Sequence, residues 1–388
     1  MNILYVTRYV LGDSGANAAE LFPKFAAASH WTNNVIVADF AENEKFVRDV
    51  QKAKFLCLRK GRSLIRESLS SAREIVRAAI DHDIDIIHVF YRERNVPLVS
   101  ILRILLMWRG SKAILITDHR SVNLSRGFPS LRKKLINIAS ALASHQLVGN
   151  PLAVESNQFL PSRRHRIVDL GYDDTAVASI ADQLSLDLKI AAVDAWFVGS
   201  LKPKNRKSWF LIEFMRTFAE LFGPNEVVFN VAGPADNEQI EALSAIPGVN
   251  YLGVLSRTEL YTQMRDRPGI GLAFMNREFH DLAPSLKFVE YALFGYRVLA
   301  SSTVGLRMQA ARMGFDDVTF VDESVDAWCQ SIASAARDYR MRGPANWTGG
   351  DKWSYQSIFD RQVRSLYVEL KGYRAETTAA ANDMTPQT

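Results

Sequence analysis

The chain has 388 residues, 48% of them hydrophobic and 23% charged, with a formal net charge of +5. That composition excludes a disordered or fibrous chain, and the length exceeds what one ordinary core fills, so two domains of roughly 150–200 residues each are expected. Only Cys57 and Cys329 occur, which argues against a disulfide framework and for a reducing cytoplasm.

The opening MNILYVTRYV runs straight into strand-like residues. It has no basic start, long apolar core or small-residue cleavage site, so no secretory signal is expected. β-Branched runs at 2–7, 34–40, 84–90, 112–118 and 145–150 predict five strands, with helices over 68–82 and 131–144 among the segments between them. Near-continuous apolar strands alternating with helices imply a parallel sheet covered on both faces. The longest apolar run, VPLVSILRILLMW at 96–108, is too short for a bilayer, which needs about 20 residues, and reads as a buried or interfacial helix.

A polar stretch near 174–190 follows, and then the alternation begins again. Strands are expected at 195–200, 226–233, 249–253, 270–275, 297–301 and 318–322, with helices near 208–222, 236–245, 256–265, 285–294 and 325–340. The fold class is therefore α/β, with two doubly wound, Rossmann-like domains over 1–175 and 190–345. The helix at 357–370 comes after the second domain is complete and is expected to pack elsewhere. The end, 374–388, has no apolar face and is expected to be disordered. In open α/β sheets ligands sit beyond the carboxyl ends of the strands, which directs attention to the loops that follow them.

Charge is uneven. Residues 1–189 hold 26 Lys and Arg against 19 Asp and Glu, a surplus of +7, whereas the remainder has 21 against 23. The basic half includes LRKKL at 131–135 and RRHR at 163–166. Such patches attract phosphorylated ligands or anionic lipid, or are simply solvated. No nucleic-acid-binding motif accompanies them, so no nucleic-acid partner is expected.

The first strand leads into RYVLGDSGANAAEL, where Gly12 and Gly15 are separated by two residues. That is not G-x-G-x-x-G, and the chain also lacks G-x-x-x-x-G-K-[ST], G-x-S-x-G and zinc-type Cys/His spacing. Dehydrogenase, P-loop and hydrolase chemistries lose their usual support, and neither a metal nor a cofactor is implied. The loop of Gly12, Ser14 and Gly15 remains able to bring backbone amides to an anion or a hydroxyl.

A different signal lies in APSLKFVEYALFGYRVLASS, residues 283–302. An apolar helix opens with Ser285, Leu286, Lys287 and Glu290 and ends near Gly295. Lys287 and Glu290, three residues apart, share a face. They form either a solvated ion pair, worth about 0.2–0.5 kcal/mol, or part of a helix N-terminus that holds something charged.

The spacing of this stretch resembles the donor-site motif of GT-B glycosyltransferases, particularly the retaining family 4 group. Further resemblance lies in AWFVGSLKPKNRKSW (195–209), in FNVAG onward (229–266) and in RIVDLGYDD (166–174). The final helix ending SLYVEL resembles the one that crosses back to the first domain in that fold, here over 354–371. The resemblance covers most of the chain and implies two domains facing across a cleft, the second holding a nucleotide-diphosphate sugar. It implies that Glu290 grips the ribose and that Lys207 contacts the diphosphate, with Gly199, Ser200, Lys202, Ser285, Leu286 and Lys287 lining the donor site. On the acceptor side it points to His119 near the reacting centre, with Asp118 and Arg120 beside it and His88 as a lesser candidate. Free N–H groups at 285–287 suit a diphosphate.

Two departures stand out. Ser200 follows Gly199 where the family often has arginine, leaving Lys202, Lys204 or Arg206 to supply that charge. Leu282 stands where a first glutamate is usual, with Glu278 and Asp281 out of register. The resemblance implies transfer to a glycan or lipid-linked acceptor, in the cytoplasm or at the inner face of the membrane, where Arg132, Lys133, Lys134, Arg163, Arg164 and Arg166 would meet anionic lipid. A sugar-nucleotide epimerase of the same fold and an inactive scaffold protein are the alternatives.

Overall fold

The computed structural model describes residues 1–9, 17–40, 53–61, 63–91, 95–119, 142–143, 145–149, 151–152, 165–180, 192–202 and 207–372. Described residues divide into two compact units. One is built from residues up to Asp169 together with those from Tyr355 onward; the other is built from Leu170–Ser354.

In the first unit the strands β1 (Asn2–Thr7), β2 (Asn34–Asp39), β3 (Ala53–Cys57), β4 (Ile86–Phe90), β5 (Ile114–His119), β6 (His145–Val148) and β7 (His165–Ile167) form one sheet of order β3-β2-β1-β4-β5-β6-β7. Every pair is parallel. β1, β2, β4 and β5 are buried along nearly their whole length, as a sheet covered on both faces requires. The two edge strands, β3 and β7, were not expected. β3 is largely exposed and β7 is three residues long, so neither carries the apolar run that marks a central strand.

Helices α1 (Asn17–Ala28), α2 (Leu64–Asp81) and α3 (Val96–Trp108) lie among these strands. α2 begins at Ser63, whose side chain accepts the Arg66 N–H, and buries a stripe of Ser68, Ser71, Ala72, Ile75, Val76 and Ala79, the i, i+3, i+4 spacing of an amphipathic helix. α3 buries Leu98, Val99, Leu102 and Leu106 and turns Ile104, Met107 and Trp108 outward, the last 74% exposed. Most of the helix expected over 131–144 lies outside the described residues, as does the segment 374–388.

The last helix, over 355–372, belongs to this first unit. It contains a stretch of π-helix, Phe359–Arg364, a wider turn that shifts the side chains following it. Phe359 packs on Phe22, Phe25 and Trp31, and Tyr355 meets Phe22 edge-on. These aromatic contacts seat the helix on α1.

The second unit adds α4 (Asp174–Ala178) and then β8 (Val193–Val198), α5 (Ser208–Phe222), β9 (Val227–Ala232), α6 (Asn237–Ser244), β10 (Val249–Gly253), α7 (Arg257–Asp266), β11 (Gly269–Ala273), α8 (Arg277–His280), α9 (Leu286–Leu293), β12 (Arg297–Ser301), α10 (Val304–Met313), β13 (Val318–Val321) and α11 (Val325–Arg342). Its sheet runs β10-β9-β8-β11-β12-β13, all parallel. Alternate residues of β8 feed two cores. Ala195 and Phe197 pack with Phe214, Phe218, Trp328 and Ile332 of α5 and α11. Trp196 faces the other way, among Tyr261, Met264, Phe288 and Leu306 of α7, α9 and α10.

The strand order reverses between β8 and β11, the switch point at which a crevice opens beyond the carboxyl ends. α10 was not expected, because its VGLRMQAARM sequence carries a weak apolar stripe. Thr303 caps it through the Leu306 N–H. A Cβ on Gly305 would lie 2.5 Å from the Ala283 carbonyl oxygen, so glycine there lets the helix start against the chain that leads into α9.

Candidate functional site

The site in the second unit is assembled at the ends of β8 and β9 and the start of α9. Gly199 follows β8 with φ +153° and donates its N–H to the Ala232 carbonyl at 2.8 Å. Gly233 follows β9 with φ +138°, and a Cβ there would lie 2.2 Å from the Gly199 oxygen. The two turns touch backbone to backbone, which only glycine permits.

Lys287, the second residue of α9, sets its ammonium over the Phe197 ring at 4.3 Å from the centroid. A Cβ on Gly199 would come within 3.3 Å of that ammonium. Gly199 and Lys287 therefore meet, one at the end of a strand and one in the first turn of a helix.

Tyr291 fixes the distance between them. Its hydroxyl donates to the Trp196 carbonyl at 2.8 Å and accepts the Val198 N–H at 3.1 Å, continuing the edge of β8 beyond the point where pairing with β11 ends at Gly271 and Trp196. A Cβ on Gly271 would lie 2.4 Å from the Tyr291 ring, so this glycine makes room for the aromatic side chain on the strand.

The N-terminus of α9 differs from expectation in one respect. The Ser285 N–H is not free: it donates to Gln309 Oε1 at 2.8 Å, and Gln309 Nε2 returns a bond to the Ser285 carbonyl at 2.9 Å. This buried clamp from α10 occupies the N–H group at the very start of α9. The Ser285 side chain makes no capping bond.

Glu290 is buried in the second turn, 6% exposed. Its Oε1 accepts the Tyr261 hydroxyl at 2.8 Å. Burial raises its pKa above the ordinary carboxylate value, against the hydrogen bond from Tyr261 and the charges of Arg257 and Lys287. Burial and the neighbouring Glu290 push the Tyr261 phenol well above its usual value. The Tyr261 oxygen also accepts the Asp173 N–H at a long 3.5 Å. Asp173 caps α4 through the Thr175 and Ala176 N–H groups and pairs with Arg257. Burial would raise the Asp173 carboxyl, but bonds from Thr175, Arg257 and Ala176 outweigh it and hold it below the ordinary range.

The other expected cations sit differently. Lys207 adopts a left-handed backbone, φ +49°, at the start of α5, and its half-exposed ammonium pairs with Glu323. Lys202 lies 3.7 Å from Asp236. Lys204 and Arg206 lie outside the described residues, and Ser200 is half-buried between β8 and Leu201. Near the missing glutamate, Leu282 is buried and Glu278 exposed. Asp281 is buried too, its carbonyl accepting the Gly305 N–H and its Oδ1 taking the Val304 N–H at 3.4 Å. The acidic group nearest in sequence thus serves the start of α10.

In the first unit, His119 was expected in the loop after the strand at 112–118; it is instead the last residue of β5, following Asp118, and both are paired with β6 and buried. His119 Nε2 is 3.2 Å from Thr117 Oγ1, and its ring lies 4.3 Å from that of Tyr91. Burial drives its pKa down to about 3, which keeps the imidazole neutral and suits it to hydrogen bonding rather than to charge. Asp118 Oδ2 lies 3.3 Å from His88 Nε2, whose Nδ1 is 2.5 Å from the Tyr367 hydroxyl on the last helix; that hydroxyl donates to Tyr5 at 3.4 Å. Gly12, Ser14, Gly15 and Arg120 lie outside the described residues, as do Arg132, Lys133, Lys134, Arg163 and Arg164. Arg166 pairs with Glu369 at 2.8 Å.

Sequence reasoning missed Tyr261, Tyr291 and Gln309. Tyr291 directly follows Glu290 and so had a local signal. Tyr261 and Gln309 reach the site only through the packing of α7 and α10.

No protein-family model matches this sequence, and no curated protein matches it. Solved structures do. HepE of Anabaena, crystallised with UDP and glucose, is 14% identical, with 98% of this chain and 99% of that one covered at a TM-score of 0.62. A glycosyltransferase from Rickettsia africae is 12% identical over 95% and 98% at 0.68. A UDP-GlcNAc 2-epimerase from Neisseria meningitidis bound to UDP-GlcNAc is 13% identical over 95% and 99% at 0.58. The fold is that of the GT-B proteins: two Rossmann-like units of parallel sheet, with a last helix belonging to the first.

Proposed function

We propose that this chain is a glycosyltransferase that moves a sugar from a nucleoside-diphosphate donor to a glycan or lipid-linked acceptor in the making of cell-surface polysaccharide or glycolipid. The observation that carries this reading is the start of α9, where Lys287 lies beside the Gly199 turn and Glu290 is buried one turn on. A diphosphate leaving group gains negative charge as the anomeric C–O bond breaks. The dipole at the start of α9 and the Lys287 ammonium stabilise that charge. A buried carboxylate suits the two vicinal hydroxyls of a ribose, because both can donate to it. The acceptor hydroxyl then forms the new bond to the anomeric carbon and passes its proton to the departing diphosphate. Retention of configuration, and membership of the retaining family 4 group, are proposed on the resemblance of residues 283–302 alone.

HepE and the Neisseria epimerase were both solved with uridine nucleotides, so UDP-sugars are the donors of first choice. A thermal-shift panel of UDP-, GDP-, ADP- and TDP-sugars tests the reading, since a ligand at 100 times its Kd adds about 2.7 kcal/mol of stability. Folded protein that responds to none of them refutes it. The likeness to the Neisseria enzyme favours a second reading, epimerisation of the nucleotide sugar itself. Conversion of UDP-GlcNAc to its 2-epimer without any acceptor would select that reading, and release of UDP dependent on a glycan would select transfer.

The partner surface is proposed to be an anionic bilayer at the cytoplasmic face. The outer side of α3 exposes Ile104, Met107 and Trp108 at i, i+3, i+4 spacing, and no described helix is long and apolar enough to cross a membrane. Arg73, Arg77 and Arg109 line the same groove between α2 and α3 as Trp108. Arg66 also lines that groove, as do Glu74 and Asp81, so cations outnumber acids four to two beside the apolar face, which suits the headgroup boundary of an anionic membrane.

A further inference from the structure

Tyr261 is wholly buried, yet a phenylalanine would fill the same space. Its ring stands edge-on to Phe294, centroids 5.2 Å apart at 67°, and Phe294 is one helical turn beyond Glu290. That packing fixes where the hydroxyl lies. A buried hydroxyl is unfavourable unless it is bonded, and this one has two partners: it donates to Glu290 Oε1 and accepts the Asp173 N–H. Among the described residues, Tyr261 is the hydrogen-bond donor that reaches the Glu290 carboxylate. The helix carrying it is held at its own start, where Arg257, one turn before Tyr261, pairs with Asp173.

We propose that Tyr261 is a positioning residue of the donor site: its hydroxyl captures one oxygen of Glu290 and so aims the other at the vicinal hydroxyls of the nucleotide ribose, while the Asp173–Arg257 pair holds the helix that carries it. This rests on the reading of Glu290 as the ribose-binding carboxylate. A carboxylate with both oxygens free rotates about its last bond; one oxygen pinned from the side selects a single orientation of the other. The same bond favours the ionised form, which is the form that accepts two hydroxyl donors. The charged groups that face Glu290 are Arg257 from α7, Lys287 from its own helix and Asp173 ahead of α4. Burial raises its pKa, Tyr261, Arg257 and Lys287 lower it, and Asp173 adds to the rise.

The sign of the pH effect follows. Without the tyrosine hydroxyl the carboxylate is harder to ionise, so binding that needs it fails at a higher pH than in the wild type. Titration calorimetry with UDP and with 2′,3′-dideoxy-UDP across a pH series reads both consequences. Wild-type protein prefers UDP. Glu290→Gln loses that preference at every pH. Tyr261→Phe loses about tenfold to a hundredfold of it on the acid side and recovers part as pH rises. A purely structural tyrosine would lower the affinity for both ligands alike, at all pH values. Should Tyr261→Phe fail to fold, 3-fluorotyrosine at position 261 keeps ring and hydroxyl but donates more strongly, and moves the acid limb to lower pH. Wild-type protein that binds the two nucleotides equally overturns the ribose reading, and this proposal with it. A Glu290→Gln variant that loses discrimination while Tyr261→Phe, or the fluorotyrosine protein, keeps the wild-type acid limb overturns the role of Tyr261 alone.

Discussion

Gly199→Ala tests whether the turn after β8 and the ammonium of Lys287 form one anion site. The glycine has φ +153°, a backbone region L side chains rarely enter, and holding alanine there costs about 1–3 kcal/mol. The new methyl would lie 3.3 Å from Lys287 Nζ. That atom ends a flexible side chain, so it moves aside by a few tenths of an ångström rather than resisting. In moving it gives up part of its contact with the Phe197 ring, worth about 0.5–1 kcal/mol when partly exposed. On the proposed donor-site reading it also leaves the place from which it would meet a phosphate, a charge-assisted bond worth about 1.5–3 kcal/mol. Urea denaturation is expected to show a stability loss of about 1–3 kcal/mol. Calorimetry is expected to show UDP affinity falling up to about a hundredfold while uridine affinity stays at the wild-type value. Lys287→Met should reproduce the loss of UDP affinity without the backbone strain. Equal loss for uridine and UDP in Gly199→Ala, or unchanged UDP binding in Lys287→Met, would refute the shared site.

Glu290→Gln should raise stability at neutral pH. The folded-state pKa of Glu290 lies above its unfolded value because of burial, so its contribution is favourable at low pH and is lost as pH rises through the folded pKa. Urea titrations of the variant and the wild type should therefore converge in acid and diverge toward neutrality, and parallel curves would contradict the burial argument. His119, held down to about pKa 3 by burial, should keep a neutral ring at pH 5 in nitrogen-detected NMR; a ring protonated near pH 6.5 would return it to a solvated loop. For the α3 surface, Trp108→Ser with Met107→Ser should abolish co-sedimentation with vesicles containing anionic lipid at low salt. Wild-type protein that binds no such vesicles removes the membrane proposal.

Much of the fold was legible because a buried parallel strand has to be almost continuously apolar. β1, β4, β5 and β8 carry that signature, and the alternation of strands with longer helical patterns then dictates doubly wound units. β3 and β7 escaped because an edge strand needs apolar residues on neither full face, and its pairing is decided by its neighbour. α10 escaped for a related reason. Its start is fixed by Gly305 fitting against the Ala283 carbonyl, a contact between segments about twenty residues apart that no local periodicity encodes.

The candidate site divides along the same line. Lys287 and Glu290 were legible because both sit on one helix, whose period fixes their relation. Their relation to Gly199 was not, since it is set by the Tyr291 hydroxyl bridging Trp196 and Val198, and by the absence of a side chain on Gly271. The expectation that Ser285 offers a free N–H failed because Gln309 arrives from a helix the sequence had hidden. His119 failed at a strand boundary, one residue too early, and the difference matters chemically: inside β5 the ring is buried and neutral, whereas in a loop it would titrate near pH 6.5. The candidate donor-site side chains can be read from local spacing, but the ones that hold them in place come from distant segments. Gly271 and Gly305 make close approaches that a Cβ would block, and the Gln309 side chain bonds both backbone groups of Ser285, so substitutions there disturb the frame of the candidate site rather than its charges.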